Sequence, residues 1–209
     1  MSTADNSTSS GFAERAQEPY ASIPTDPDAF LQWASRRPRE DGKYELTRGQ
    51  IIHKLNNVSR AHWTVATNLL VELAKTLDRD HFDCGSADFG VKTPDGVRFP
   101  DVLVDVASSS LKDFAATQPL FIAEVLSPSS VGRDFTEKLE EYTAIASLQT
   151  YLICSQDQAR LWLWQRQADG AWPKFPLELS GREEAVHLDR LGVELSTAAI
   201  FRGIPDGAG

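Results

Sequence analysis

Three charged residues, Asp101, Glu124 and Lys138, stand where the surrounding pattern favours apolar groups or where a neighbouring acid gives them meaning. Asp101 opens the apolar run Val102-Leu103-Val104, directly after Arg98-Phe99-Pro100. Proline is tolerated at the first residue of a strand, and Pro-Asp is equally common in turns, so this pair alone reads as a turn. Glu124 lies inside Leu120-Phe121-Ile122-Ala123-Glu124-Val125-Leu126. Strand side chains alternate, so Glu124 shares a face with Leu120, Ile122 and Leu126. A carboxylate in a doubly covered strand is costly unless it is paired or binds a metal. An ion pair with a nearby Arg or Lys and a functional role both stay open for it. Lys138 is spaced from Asp134 and Glu141 so that all three lie along one side of a helix. That spacing alone describes a solvated face, and what raises Lys138 is its place just beyond Glu124. Two carboxylates from successive strands can hold a hard divalent ion through oxygen, with waters completing the shell. Such an ion polarises a phosphoryl oxygen and lowers the pKa of a bound water. A nearby ammonium can orient that water or stabilise developing negative charge.

The elements that position these residues follow from periodicity. Residues 1–24 are polar and poor in large apolar groups, which reads as a disordered tail. Residues 25–209 read as a single domain. Asp26 with Pro27 starts a short helix that Pro38 ends. Lys43–Thr47 and Gln50–Lys54 read as strands joined at Arg48-Gly49. Ser59 precedes a long helix over 59–78, with Trp63, Ala66, Leu70, Leu73 and Leu77 on one face. His81–Lys92 and Arg98–Val106 read as strands around the turn Thr93-Pro94-Asp95-Gly96. Pro119–Leu126 is a compact central strand. Residues 133–146 form a second amphipathic helix, with Phe135, Leu139, Tyr142 and Ala146 on one face. Thr150–Cys154, Arg160–Gln165, Trp172–Leu179 and Val186–Leu188 read as strands, and Thr197–Arg202 as a final helix. The sum is a mixed α/β (α+β) domain with helices packed on a twisted sheet.

Composition removes several classes. No apolar run approaches the ~20 residues that span a bilayer, and the first residues lack the basic and apolar regions of a secretory signal. Cys84 and Cys154 are far apart and in no CxxC pair, which gives no zinc or disulfide framework. A reduced, cytoplasmic setting is expected. The net charge of -9 argues against a general nucleic-acid coat protein.

The chain resembles the Uma-two family of "putative restriction endonucleases", within the PD-(D/E)XK nuclease superfamily, over about residues 43–202. The matching pieces are Tyr44-Glu45-Leu46 with Gly49, His62 and Val97-Arg98-Phe99-Pro100-Asp101. Glu124-Val125-Leu126-Ser127-Pro128-Ser129, then Asp134, Lys138 and Tyr142, and finally Ala199-Ile200-Phe201 complete them. The resemblance implies a restriction-endonuclease-like core, a central twisted sheet flanked by helices. It implies Asp101 and Glu124 as ligands of Mg2+ or Mn2+. The lysine that the superfamily usually places two residues after the glutamate is Leu126 here, and Lys138 on the following helix takes its part. Glu45 is a further candidate, as an early acid near the metal; its alternative is an exposed strand residue. His62 either touches a phosphate or is a core histidine bonded to backbone. Tyr142 packs by default. Gly49-Gln50-Ile51 replaces the family's Gly-Glu-Leu.

The expected activity is metal-dependent endonucleolytic hydrolysis of DNA phosphodiester bonds. Asp101, Glu124, Lys138 and Glu45 are its candidate catalytic residues, and His62, Arg98, Lys54 and Arg60 its candidate substrate contacts. Around the first hairpin, Lys43, Arg48, Lys54 and Arg60 stand against Glu45 alone, a locally basic patch in an acidic chain. The alternation Leu161-Trp162-Leu163-Trp164 puts two indoles on one face, read here as a homodimer interface. The rival reading is a non-catalytic binding or interaction protein on a nuclease fold, which the overall acidity and the missing E-x-K lysine favour.

Overall fold

The turn at Arg48-Gly49 has positive φ at both residues, 49° and 73°, the two-residue turn whose twist matches antiparallel strands. It joins β1 (Lys43–Thr47) to β2 (Gln50–Lys54) in the register Glu45↔Ile52. The protein was analysed as a computed structural model that describes residues 24–38, 42–54, 58–126, 132 and 135–205. Residues 1–23 of the expected tail and Asp134 therefore lie outside the described residues. β4 (Val91–Thr93) and β5 (Gly96–Arg98) form a second hairpin, and β5 pairs with β1, giving the four-stranded order β2-β1-β5-β4. Gly96 permits that contact: a Cβ there would stand 1.9 Å from the Leu46 carbonyl oxygen. α1 (Pro27–Ala34), capped by Asp26 accepting from the Ala29 N–H at 2.8 Å, covers this sheet through Phe30 and Leu31.

The larger sheet has the order β10-β9-β8-β7-β6-β3, with β3 Phe82–Ser86, β6 Val102–Val106, β7 Pro119–Val125, β8 Thr150–Cys154, β9 Arg160–Gln165 and β10 Leu177–Ser180. Only its β7–β8 pair is parallel. A parallel pair needs a crossover, and α3 (Glu137–Thr143) lies in it. The molecule is thus α+β, with a mixed central sheet flanked by helices. α2 (Arg60–Thr76) covers one face through Val65, Leu69 and Leu73, beside the hairpin β11 (Ala185–Leu188) and β12 (Val193–Ser196) and the short α4 (Thr197–Ile200). The other face packs Ile122, Tyr142, Tyr151 and Trp164.

Several expectations change. The run Arg98–Val106 is two strands in two sheets, because Phe99-Pro100-Asp101 breaks the ladder and carries the chain between them. The run 81–92 likewise divides into β3 and β4. The buried face of α2 is one residue off the expected stripe: His62, Val65, Leu69 and Leu73 turn inward, while Trp63 is 58% exposed. Leu73 and, just past the helix, Leu77 are buried as expected, and Ala66 and Leu70 are half-buried against the same core; the rotation turns Trp63 outward and brings His62 to a carboxylate. Of the two indoles, Trp164 is buried, stacked on Tyr151 with ring centres 5.8 Å apart, and Trp162 meets Phe135 edge-on at 5.1 Å. Trp164 thus belongs to the protein's own core, which removes half of the motive for an interface. Of the expected strand Trp172–Leu179 only the part from Leu177 pairs, in β10, which runs on to Ser180.

Candidate active site

Asp101 sits where β5 hands over to β6. Extending the β6–β7 register one step past the Val102↔Ala123 pair brings Asp101 level with Glu124. Its Oδ2 accepts the Val125 backbone N–H at 2.8 Å, and its Oδ1 lies 3.2 Å from His62 Nε2. His62 reaches it from the first turn of α2, where its own N–H donates to the capping Ser59 hydroxyl at 3.0 Å. Burial raises the Asp101 carboxyl. The contact with His62, the Val125 N–H and the charge of Lys138 more than offset this and hold it below the usual carboxylate value.

Glu124 projects from the C-terminal end of the central strand, one residue before its last, and is 4% exposed. Its Oε1 accepts from Lys138 Nζ at 2.7 Å and from the Tyr142 hydroxyl at 2.9 Å. Both donors come from α3, four residues apart and therefore on one helical face. Burial and the adjoining Glu124 charge keep the Tyr142 phenol well above its ordinary value, so it stays a donor.

Behind them lies a second carboxylate pair joined by an arginine. Arg98 has no exposed side-chain surface; its Nε and Nη2 donate to Glu141 at 2.6 and 2.7 Å, and its Nη1 donates to Glu45 at 2.8 Å. Lys54 closes the chain, 2.7 Å from Glu45 Oε1. Glu45 is 1% exposed; burial raises its carboxyl, but Lys54, Lys138 and Arg98 together hold it below the usual value. An unpaired charge at this depth would cost several kcal/mol, so the acids and bases of this cluster require one another.

The structure therefore brings Asp101, Glu124, Lys138, His62 and Glu45 to one end of the central sheet. Two expected substrate contacts change character. Arg98 is enclosed and bonded to carboxylates on both sides, so it holds the site together and presents no surface to a phosphate. Lys54 is half-buried against Glu45. Arg60, at the start of α2, is exposed. Glu45 is not an exposed strand residue, and Tyr142 does more than pack. Glu141, spaced like a surface acid, is 4% exposed and clamps Arg98. Its signal in the sequence was the three-residue step from Lys138; what was hidden was the buried arginine waiting opposite.

Among the described residues no group of three or more His, Cys, Asp or Glu side chains forms a ligand cage for a metal. The Asp101 and Glu124 carboxylates nonetheless suit a hard divalent ion that keeps several waters and is completed by substrate phosphates, as magnesium does. With His62 as the one nitrogen donor beside them, the set does not suit a softer, sulfur-seeking metal.

The mixed central sheet flanked by helices is a restriction-endonuclease-like fold. Residues 27–198 match the Uma2 family, described as "Putative restriction endonuclease", and the chain belongs to that family. It is 29% identical over 193 residues to the uncharacterized protein slr1290 of Synechocystis sp., covering 90% of this chain and 98% of that one. It is 28% identical over 146 residues to the uncharacterized protein sll1609 of the same organism, covering 68% and 82%. A crystal structure of a "putative nuclease belonging to DUF820" from Anabaena variabilis superposes with a TM-score of 0.63, covering 82% of this chain and 96% of that one. At 15% identity that likeness speaks for the fold alone. No helix among the described residues is long and apolar enough to cross a membrane.

Proposed function

We propose that this protein is a metal-dependent endonuclease that hydrolyses phosphodiester bonds in DNA, acting in the cytoplasm. The observation that carries the reading is that Asp101, held by the Val125 N–H, stands at the end of the β6–β7 ladder level with Glu124, to which Lys138 is bonded. Asp101 and Glu124 would hold Mg2+ or Mn2+, which when bound polarises the phosphoryl oxygen and acidifies a water. The rest falls to the chain itself. Val125 N–H and His62 orient Asp101, and Tyr142 orients Glu124. Lys138 supplies positive charge beside the reacting phosphate, where charge develops. Glu45 and Arg98 hold Lys138 and α3 in place from behind. Exposed cations such as Arg60 meet the flanking phosphates. A homodimer matching the two-fold symmetry of duplex DNA belongs to the same proposal, and sedimentation of a monomer at micromolar concentration would remove it.

The test is purified protein on plasmid and single-stranded DNA, with and without added Mg2+ or Mn2+, beside Asp101→Asn. Cleavage should require the metal, stop with a chelator and be lost in the variant. Cleavage by Asp101→Asn at the wild-type rate would show a contaminant. Absence of metal-dependent cleavage of every substrate, together with absence of metal binding, would favour a non-catalytic nuclease-fold binding protein.

A further inference from the structure

Between Glu45 and Glu72 the sequence has no acidic residue, its longest such interval in a chain with 30 acids and a net charge of -9. The interval holds Arg48, Lys54 and Arg60, and it covers β2 and α2 as far as Glu72. Local charge of this sign suits a polyanion. At the start of α2 it coincides with exposed apolar surface. Val58 and Trp63 stand at the two places of a hydrophobic staple, one residue before the capping Ser59 and four after it. They are nevertheless 57% and 58% exposed, so the staple does not enclose the indole. Trp63 is also the chain neighbour of His62, whose Nε2 lies 3.2 Å from Asp101 Oδ1. One residue turns a helix by about 100°. While His62 points in at Asp101, Trp63 therefore stands on the adjoining outer flank, with the exposed Arg60 one turn before it. The helix start is held firmly: the Ser59 hydroxyl accepts the His62 N–H at 3.0 Å and donates to Gln156 Oε1 at 2.8 Å, between β8 and β9. An open indole beside a cation, fixed next to a phosphate site, matches the way unpaired bases are held. Every base has a face that stacks on an aromatic ring, and positive charge tracks the backbone. Bases inside a duplex stack on one another and offer no such face.

We propose, on the nuclease reading of Asp101 and Glu124, that Trp63 is a substrate-binding residue. Its indole stacks on an unpaired DNA base flanking the phosphate at those two carboxylates, and Arg60 meets the adjoining phosphate. The preferred substrate then has unpaired bases beside the cut, as a single strand, a flap or a frayed end does, and a fully paired duplex is bound less well.

The experiment is binding of fluorescein-labelled phosphorothioate DNA, which resists cleavage, to the full chain in Mg2+, read by anisotropy. The probes are a single strand, the same strand with one abasic position moved along it, and the paired duplex. Wild type should bind the single strand more tightly than the duplex. Trp63→Ala should weaken single-strand binding about 5- to 100-fold, the worth of one stacked base, and leave duplex binding nearly unchanged. Trp63→Phe, which keeps an aromatic face, should restore most of the loss. One abasic position should cost the wild type a similar factor and cost Trp63→Ala nothing further, as two halves of one contact do. Arg60→Gln should instead lower the slope of log K against log salt by about one. Single-strand binding by Trp63→Ala equal to wild type would overturn the proposal, and metal-dependent cleavage would leave the nuclease reading standing. Loss of a dimer in Trp63→Ala with unchanged DNA binding would overturn it in favour of an interface between copies. Trp63-dependent binding without metal-dependent cleavage would uphold the stacking site and remove the nuclease reading. Absence of binding to every DNA would overturn the two together. Should Trp63→Ala not fold, the wild type labelled with 5-fluorotryptophan carries the test, its Trp63 resonance assigned by its loss in Trp63→Phe. The single strand should shift that resonance, and an unmoved signal at saturation would overturn the proposal.

Discussion

The carboxylate of Asp101 accepts the backbone N–H of Val125 at 2.8 Å, which ties it to the residue next to Glu124. One side chain thus closes the end of the β6–β7 ladder and stands beside the second acid. Asp101→Ala removes the acceptor and should destabilise the fold by about 1–3 kcal/mol, since a buried donor is left without its partner. Asp101→Asn keeps an acceptor oxygen and should lose less than half as much. Urea midpoints of the two variants decide this, independently of any cleavage assay.

Arg98 is the keystone between the two sheets and α3. Arg98→Met leaves Glu45 and Glu141 buried with reduced pairing, and should cost about 3–5 kcal/mol, enough to unfold a marginal domain. Replacing Arg98, Glu45 and Glu141 together by apolar residues of similar size should restore much of that loss. A triple variant no more stable than Arg98→Met would show that packing, and not the unpaired acids, dominates.

The inward face of α2 can be read by substitution. Leu69→Ala should cost about 2–5 kcal/mol, because Leu69 is fully buried. Trp63→Ser, at a position 58% exposed, should stay within roughly 0.5 kcal/mol of wild type. The reverse order of thermal midpoints would place the helix one residue round.

Acid stability should follow Asp101 and Glu45, whose folded carboxyls both lie below their ordinary values. A depressed folded pKa contributes stability that is complete above the unfolded value, roughly 4. That contribution is lost as pH falls through the lower folded value. Denaturant midpoints should therefore hold steady down to about pH 5 and fall steeply below about pH 4. His62→Gln, which weakens the hold on Asp101, should flatten the fall. A midpoint that rises as pH drops through this range would contradict the assignment.

Much of the site's membership was legible before its geometry. Glu124 interrupts an apolar strand, and an acid there must have a partner or a task. Asp101 and Lys138 stood out through their resemblance to a known motif and their nearness to that strand. Glu141 and Arg98 were misread for one reason: a charged residue looks solvent-bound in sequence, and only its opposite number across the fold shows that it is buried. Arg98 belongs to the four-stranded sheet and Glu141 to the crossover helix, 43 positions apart in sequence, and no local pattern relates them.

The sequence by itself determined the elements with strong local periodicity or turn chemistry. β1 and β2 around Arg48-Gly49, the helix capped by Ser59, and the central strand Pro119–Val125 are set by alternation, capping and apolar run length, which act between near neighbours. Tertiary structure alone decided which stripe of α2 turned inward, where the chain changed sheets at Pro100-Asp101, and which acids met which bases. Local propensity is nearly indifferent between two helical stripes one residue apart. Their difference is an interaction energy between distant segments, Val65 and Leu69 with the sheet and His62 with Asp101, and it exists only once the chain has closed on itself.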